Sequence, residues 1–319
     1  MAQPSLSDVH VDVPLTWISV AYIQKQTNFI ASQMFPILPV DHQSDRYYVF
    51  TKADWFRDEM KVRLDGAESE GSGYNLDNTP TYYALKWALH KDIGDDIRAN
   101  SDSPLNPDRD ATSFLTKRGL LRQEIQWAAD FFTTGLWTAP GSDSAPAITW
   151  DKAQSTPIED VEAARAAILS TTGIEPNKIA LGYQVYSKLR NHPDIIDRLK
   201  YTSSATVTTD TLARLFDLEQ VLVARAVQNT AAEGQTAAYS FVQGKNALLG
   251  YSAPGPGMLT PTMGYIFAWK GVSAGLGQTI GIKRIRMEWR NADRIEAQIA
   301  FADKVIAADL GFFWSGAVS

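Results

Sequence analysis

The chain of 319 residues contains no cysteine. That removes disulfides, thiolate nucleophiles and cysteine metal sites together, and it fits a reducing compartment. An excess of positive charge is also absent. The net charge is −6, which argues against general nucleic-acid binding, since phosphate contacts need clustered lysine and arginine. Histidine is rare. The four residues His10, His42, His90 and His192 lie far apart in sequence, so no paired metal ligand of the His-x-x-x-His kind exists. His90 falls on an expected strand and His192 in a helix-ending turn, where structural roles are expected. No run approaches the ~18 apolar residues of a membrane helix, and the N-terminus has no basic stretch leading into an apolar one, so neither a membrane span nor a secretory signal is expected.

Nucleotide and catalytic motifs are missing too. SAGLGQTIG carries Gly275, Gly277 and Gly281, but the spacing is not that of a dinucleotide loop and no phosphate-binding Lys-Ser/Thr follows. No G-x-S-x-G elbow occurs. Asp92, Asp95 and Asp96 sit together in DIGDD, without the alternating ligands and distal glutamate of a calcium loop. The expectation is a solvated turn, no cofactor and no enzyme activity.

What is present is a well-punctuated mixture of helix and strand. Residues 1 to 45 read as an extended arm, broken by Pro4, Pro14, Pro36 and Pro39, with room for a short helix between Trp17 and Phe35. Residues 46 to 100 read as a long two-stranded hairpin. RYYVFTKADWFRDEMKVRL forms one arm and TYYALKWALHKDI the other, around the small polar tip DGAESEGSGY. Tyr83, Leu85, Trp87 and Leu89 alternate with Ala84, Lys86, Ala88 and His90, the period of a half-buried strand. An isolated hairpin is marginal in water, so its apolar face must lie on its own domain or on a neighbouring subunit.

Asn106-Pro107 opens a long helix expected to reach residue 136, with Phe114, Leu121, Ile125, Ala128, Phe132 and Leu136 as its apolar stripe. A linker spans 138–151. Thr156, Pro157 and Glu159 then spell a capping box, Gly173 a helix stop, KIALG a short strand at 178–182, and residues 183–191 a second helix. Another helix and strand are expected over 210–227, and strands over 239–251 and 263–270. The C-terminal RIRMEWRNADRIEAQIAFADKVIAADLGFFW alternates apolar and polar residues on both sides of a turn at NAD.

The order of arm, hairpin, long helix, central α/β segment and strand return resembles the major capsid proteins of tailed bacteriophages, the Hong Kong-type capsid fold. The segment TPIEDVEAARAAILSTTGIEPNKIALGYQVYSKLRNHPDI and the C-terminal strands carry that resemblance most specifically. It implies an α+β fold with an N-terminal arm (1–45), an extended hairpin loop (46–100), a peripheral domain built on a spine helix (101–174 and 282–319) and an axial domain (175–281). It implies hexamers and pentamers that close an icosahedral shell around double-stranded DNA, packaged without sequence-specific binding. A separate scaffolding protein, a portal protein and, in some shells, a decoration protein would be partners, and the virion, after assembly in the host cytoplasm, the location. The hairpin residues Trp55, Arg57, Lys61, Arg63, Tyr83 and Trp87 would form the intersubunit contact. An encapsulin-like compartment shell shares the fold and is the alternative; an enzyme with a dispersed site is a weaker one.

Overall fold

The computed structural model describes residues 24–102, 105–199, 207–257, 259–272 and 280–319. The start of the arm and most of SAGLGQTIG lie outside these. In chain order the elements are α1 (Ala31–Met34), β1 (Ile37–Val40), β2 (Ser44–Arg46), β3 (Val49–Phe50), α2 (Lys52–Trp55), β4 (Leu76–Asp77), β5 (Thr81–Tyr83), β6 (Leu85–Gly94) and α3 (Asp95–Ala99). The long helix α4 (Pro107–Phe131) and α5 (Pro157–Thr172) follow, then β7 (Lys178–Gly182), α6 (Tyr183–Leu189), α7 (Pro193–Leu199), α8 (Thr209–Leu215) and β8 (Gln220–Ala224). The chain finishes with β9 (Val227–Asn229), β10 (Tyr239–Phe241), β11 (Ala247–Gly250), β12 (Gly264–Trp269), β13 (Ile280–Met287), β14 (Ala292–Val305) and β15 (Gly311–Trp314).

Two sheets organise these elements. In the first, β14 is the axis. β13 and then β12 pair with one of its edges, β6 runs antiparallel along the other, and β1 adds to β12 in parallel. Asn291 makes the tight β13–β14 connection with a left-handed backbone, φ 44°, a conformation asparagine tolerates better than most residues. The alternation read in the sequence is realised here, with Ile295, Ala297, Ile299 and Phe301 all buried. The second sheet has the order β15-β11-β7-β8, with β7 and β8 parallel and joined through α6 to α8. All four of its strands read as near-continuous apolar runs, as strands covered on both faces should.

Strand pairing crosses the domain boundaries expected from the sequence. β12 was expected in the axial domain, yet it pairs with β14. β15 was expected in the peripheral one, yet it pairs with β11. One apolar cluster accordingly runs through both sheets, from Phe35, Trp127 and Phe131 to Leu181, Val223 and Phe313.

α4 spans 25 residues, about 37 Å at 1.5 Å per residue. Asn106 caps it by accepting from the Arg109 backbone N–H at 3.0 Å, and Pro107 occupies the first turn. The buried face differs from the expected stripe. It is Ala111, Leu115, Glu124, Trp127, Ala128 and Phe131, while Phe114 is 43% exposed. The expected stripe shares only Ala128 with the buried face, which combines Ala111 and Leu115 near the start of the helix with Trp127 and Phe131 near its end. A Cβ at Gly119 would stand 3.0 Å from Cδ1 of Ile280. Phe35 closes the far end, its ring 4.3 Å from that of Phe131 and edge-on to it.

α5 begins at Pro157 as expected, but Thr156 makes no side-chain capping bond, so the capping box does not form. Its C-terminus is as read: Gly173 is left-handed at φ 69° and donates to Leu169 O. His192 is structural, with Nε2 2.9 Å from both Ser155 Oγ and Lys152 O.

Candidate intersubunit surface

Between β1 and β6 the chain leaves the body as a loop. Its base is two short antiparallel ladders: Ser44 and Arg46 opposite Tyr83 and Thr81, then Val49 and Phe50 opposite Asp77 and Leu76. Above them Thr51 leads into α2, and Asp54 fastens the returning chain by accepting from the Asn75 backbone and side-chain N–H groups at 2.9 and 3.2 Å. The rings of Phe50, Trp55 and Tyr74 stand 5.8 to 6.0 Å apart and close this neck. Lys52 reaches down to an ion pair with Asp309 on the body. Beyond the neck, residues 56 to 75 form no strand. This part is held by side chains: Lys61 to Glu70 at 3.0 Å, and Arg63 Nε to Ala67 O at 2.6 Å.

The hairpin therefore exists, but shorter than expected and with a different second arm. Leu85–Gly94 does not return along RYYVFTK. It pairs with β14, Trp87 opposite Ile299. Trp87 is partly buried against the main core, and the guanidinium of Arg122 lies 4.0 Å from its ring centroid. Its place in a hairpin is thus corrected: β14 offers this strand a ladder of ten partners, whereas residues 52–63 form no strand. Trp55 and Tyr83 are exposed at the neck and base of the loop. Arg57 is paired with Glu59 at 3.2 Å, so Arg57, Lys61 and Arg63 already bond within the loop.

Sequence reasoning passed over the loop's most exposed apolar side chains. Met60 is 94%, Val62 93% and Leu64 74% exposed. They alternate with Lys61 and Arg63, a two-residue period that would put all three on one face of an extended chain. That alternation was visible in EMKVRL. An apolar row left this bare marks a contact surface.

At the foot of the same loop lies an open groove of about 1240 Å³, lined by Tyr48, Trp55 and Phe56 from the neck and by Ile174, Leu259 and Leu310 from the body. Its lining is mainly apolar, and the charges among its lining residues are the paired Lys52 and Asp309. Among the described residues no group of His, Asp or Glu could hold a metal ion. Two of the DIGDD carboxylates, Asp92 and Asp95, serve arginines instead of standing free in solvent. Arg294 hydrogen-bonds Asp92 and Arg286 hydrogen-bonds Asp95, in each case holding the carboxyl below its ordinary range. Among the described residues no helix is long and apolar enough to cross a membrane.

Known proteins share this arrangement. Residues 143–252 match the family model described as phage major capsid protein E. The chain is 23% identical over 317 residues to the major capsid protein of Burkholderia phage BcepMu, covering 96% of each. The crystal structure of a phage-related protein from Bordetella bronchiseptica RB50 superposes with a TM-score of 0.71 at 22% identity, over 92% of this chain and 94% of that one. The capsid structure of cyanophage P-SCSP1u superposes with a TM-score of 0.61 at 11% identity, over 100% and 96%. The fold is that of phage capsid proteins. The resemblance stated from the sequence is borne out: over nearly its whole length this chain is similar to phage major capsid proteins.

Proposed function

We propose that this chain is a major capsid protein, a structural subunit whose copies build the shell that encloses a phage genome. The observation that carries the reading is the projecting loop with its uncovered apolar row, in a chain whose full-length relative is a phage major capsid protein. A folded subunit that leaves Met60, Val62 and Leu64 in water has a surface that only association can cover. The groove at the base of the same loop is apolar and large enough for such a row. Tip and base are different patches, so contact between them is head-to-tail, and a rotation that closes makes rings.

Hexamers and pentamers are the rings an icosahedral shell requires, and they are this reading's expectation. So are a scaffolding protein, a portal protein and, in some shells, a decoration protein as partners. The virion, after assembly in the host cytoplasm, is the location. Trp55 and Tyr83 belong to the contact. Arg57, Lys61 and Arg63 contribute there by exchanging their internal partners for a neighbour's carboxylates. An encapsulin-like compartment would use the same fold; the relation to a phage capsid protein over 96% of both chains favours the phage shell. The role is structural, and no residue is assigned to catalysis.

The test is electron microscopy of the protein produced with its phage's assembly proteins. Closed shells that take up double-stranded DNA are the expected product. A monodisperse monomer under the same conditions would overturn the reading, and shells filled with a protein cargo would move it to the compartment class.

A further inference from the structure

The first sheet meets α4 through alternate side chains of β14. Ile295, Ala297, Ile299 and Phe301 are apolar and buried. The next position of that row is Asp303. Both of its carboxyl oxygens are closed to solvent, and neither has a hydrogen-bond partner. A carboxylate in such a place is strongly unfavourable while it is charged and unpaired.

Two further acids face it from α4. Asp130 accepts from Gln126 Nε2 at 2.9 Å. Glu124 is completely buried and joins three parts of the chain. Its Oε2 accepts from the backbone N–H groups of Ile30 and Ala31, each at 3.0 Å, and its Oε1 accepts from Gln243 Nε2. One side chain therefore fixes the first turn of α1, and with it the arm, to the long helix and to the loop ahead of β11. The surrounding charges do not neutralise Asp303. Arg122 and Lys304 act on Asp130, and Arg122 is turned to Gln126 and the ring of Trp87. α1 has no titratable side chain, and β12, which faces Asp303 through Ile266, has only Tyr265.

We propose that Glu124, Asp130 and Asp303 form a proton-linked latch: with Asp303 protonated the arm is seated on α4, and loss of that proton sets three neighbouring carboxylates against one another and loosens residues 30–34. Burial raises Asp303 well above the usual carboxyl range, reinforced by Asp130 and Glu124. Burial also raises Glu124 to about 7, against the opposing bonds from Ala31, Ile30 and Gln243. The sign follows. Glu124 holds its proton more tightly folded than unfolded, so its contribution is complete below the ordinary Glu value of 4.5 and is lost as pH rises through about 7, and Asp303, raised by burial, acts in the same direction. The latch thus opens towards alkaline pH.

Hydrogen exchange read by mass spectrometry on the full chain tests this, following peptides over residues 29–35. Corrected for intrinsic rates, the wild type should lose protection by ~10-fold between about pH 5.5 and about pH 8.5. Asp303→Asn, of the same shape but without a charge to gain, should change by no more than ~2-fold over that range. Infrared spectra at neutral pH should show a protonated carboxyl band that is weaker in Asp303→Asn than in the wild type. Equal wild-type protection at both pH values, or an undiminished pH response in Asp303→Asn, would overturn the latch. Should that variant fail to fold, Asp130→Asn must shrink the response, and an unchanged response refutes the proposal equally.

Discussion

Trp87 shows how one side chain changes meaning when its partner strand is known. As the edge of a hairpin it would be an assembly residue. In the sheet it covers the core beside β14 and stacks on Arg122. Truncating a large aromatic in a core costs about 3–5 kcal/mol; Trp87 is only partly buried, so a cost at or below the bottom of that range applies. Trp87→Ala should lower the urea midpoint of the unassembled subunit by an amount matching about 2–3 kcal/mol. An unchanged midpoint would return Trp87 to an intersubunit role. Gly173 is a second such residue. Its φ of 69° disfavours any side chain, and an added Cβ would reach 3.4 Å from Cε1 of Phe56. Gly173→Ala should therefore destabilise by about 1–2 kcal/mol in the same melt, and a neutral result would mean that α5 ends without needing its left-handed cap.

At the scale of the element, what could be read in the sequence was what short-range rules encode. The strand at Lys178–Gly182, the helix opening at Tyr183 and the stop at Gly173 lie where their punctuation put them. The buried row from Ile295 to Phe301 follows from simple alternation. Long-range choice was not readable. β6 alternates as any half-buried strand does, and nothing within it names β14, some 200 residues later, over the nearer segment 46–52. The same limit displaced the domain boundaries, because β12 and β15 take their sheets from partners distant in sequence. The candidate site was half legible: the loop and its polar tip were, but Met60, Val62 and Leu64 were absorbed into an expected strand. The corrected loop makes its own prediction. Residues 56–75 have no backbone ladder, and Lys61 and Arg63 are held by one exposed ion pair and one bond to Ala67 O, contacts worth ~0–1 kcal/mol each. Trypsin should cut the free subunit after Lys61 or Arg63 before any other site among the described residues, and should spare these bonds in assembled particles. Fragment masses from limited digestion decide it; equal cutting rates in both forms would mean that the tip touches no neighbour.

At the scale of the whole molecule, folding and assembly draw on different residues, which allows them to be separated. The core running from Phe35 through Trp127 to Phe313 is complete within one chain. Nothing in it depends on Met60, Val62 or Leu64, which stand 94%, 93% and 74% exposed. Replacing all three by serine removes apolar surface that is already in water, so the subunit should melt within about 0.5 kcal/mol of the wild type, as surface changes usually do. In a shell the same three side chains would be covered. Burying a side chain of this kind stabilises by roughly 1.5–3 kcal/mol, so each head-to-tail contact would lose several kcal/mol, and every subunit in a ring makes one. The triple variant Met60→Ser, Val62→Ser, Leu64→Ser should consequently stay folded and monomeric where the wild type sediments as rings or shells. Analytical ultracentrifugation beside a urea melt reads both quantities from one preparation. Wild-type particle yield from a variant that melts normally would remove the apolar row from the interface, and a loss of yield accompanied by an equal loss of subunit stability would assign the row to folding instead.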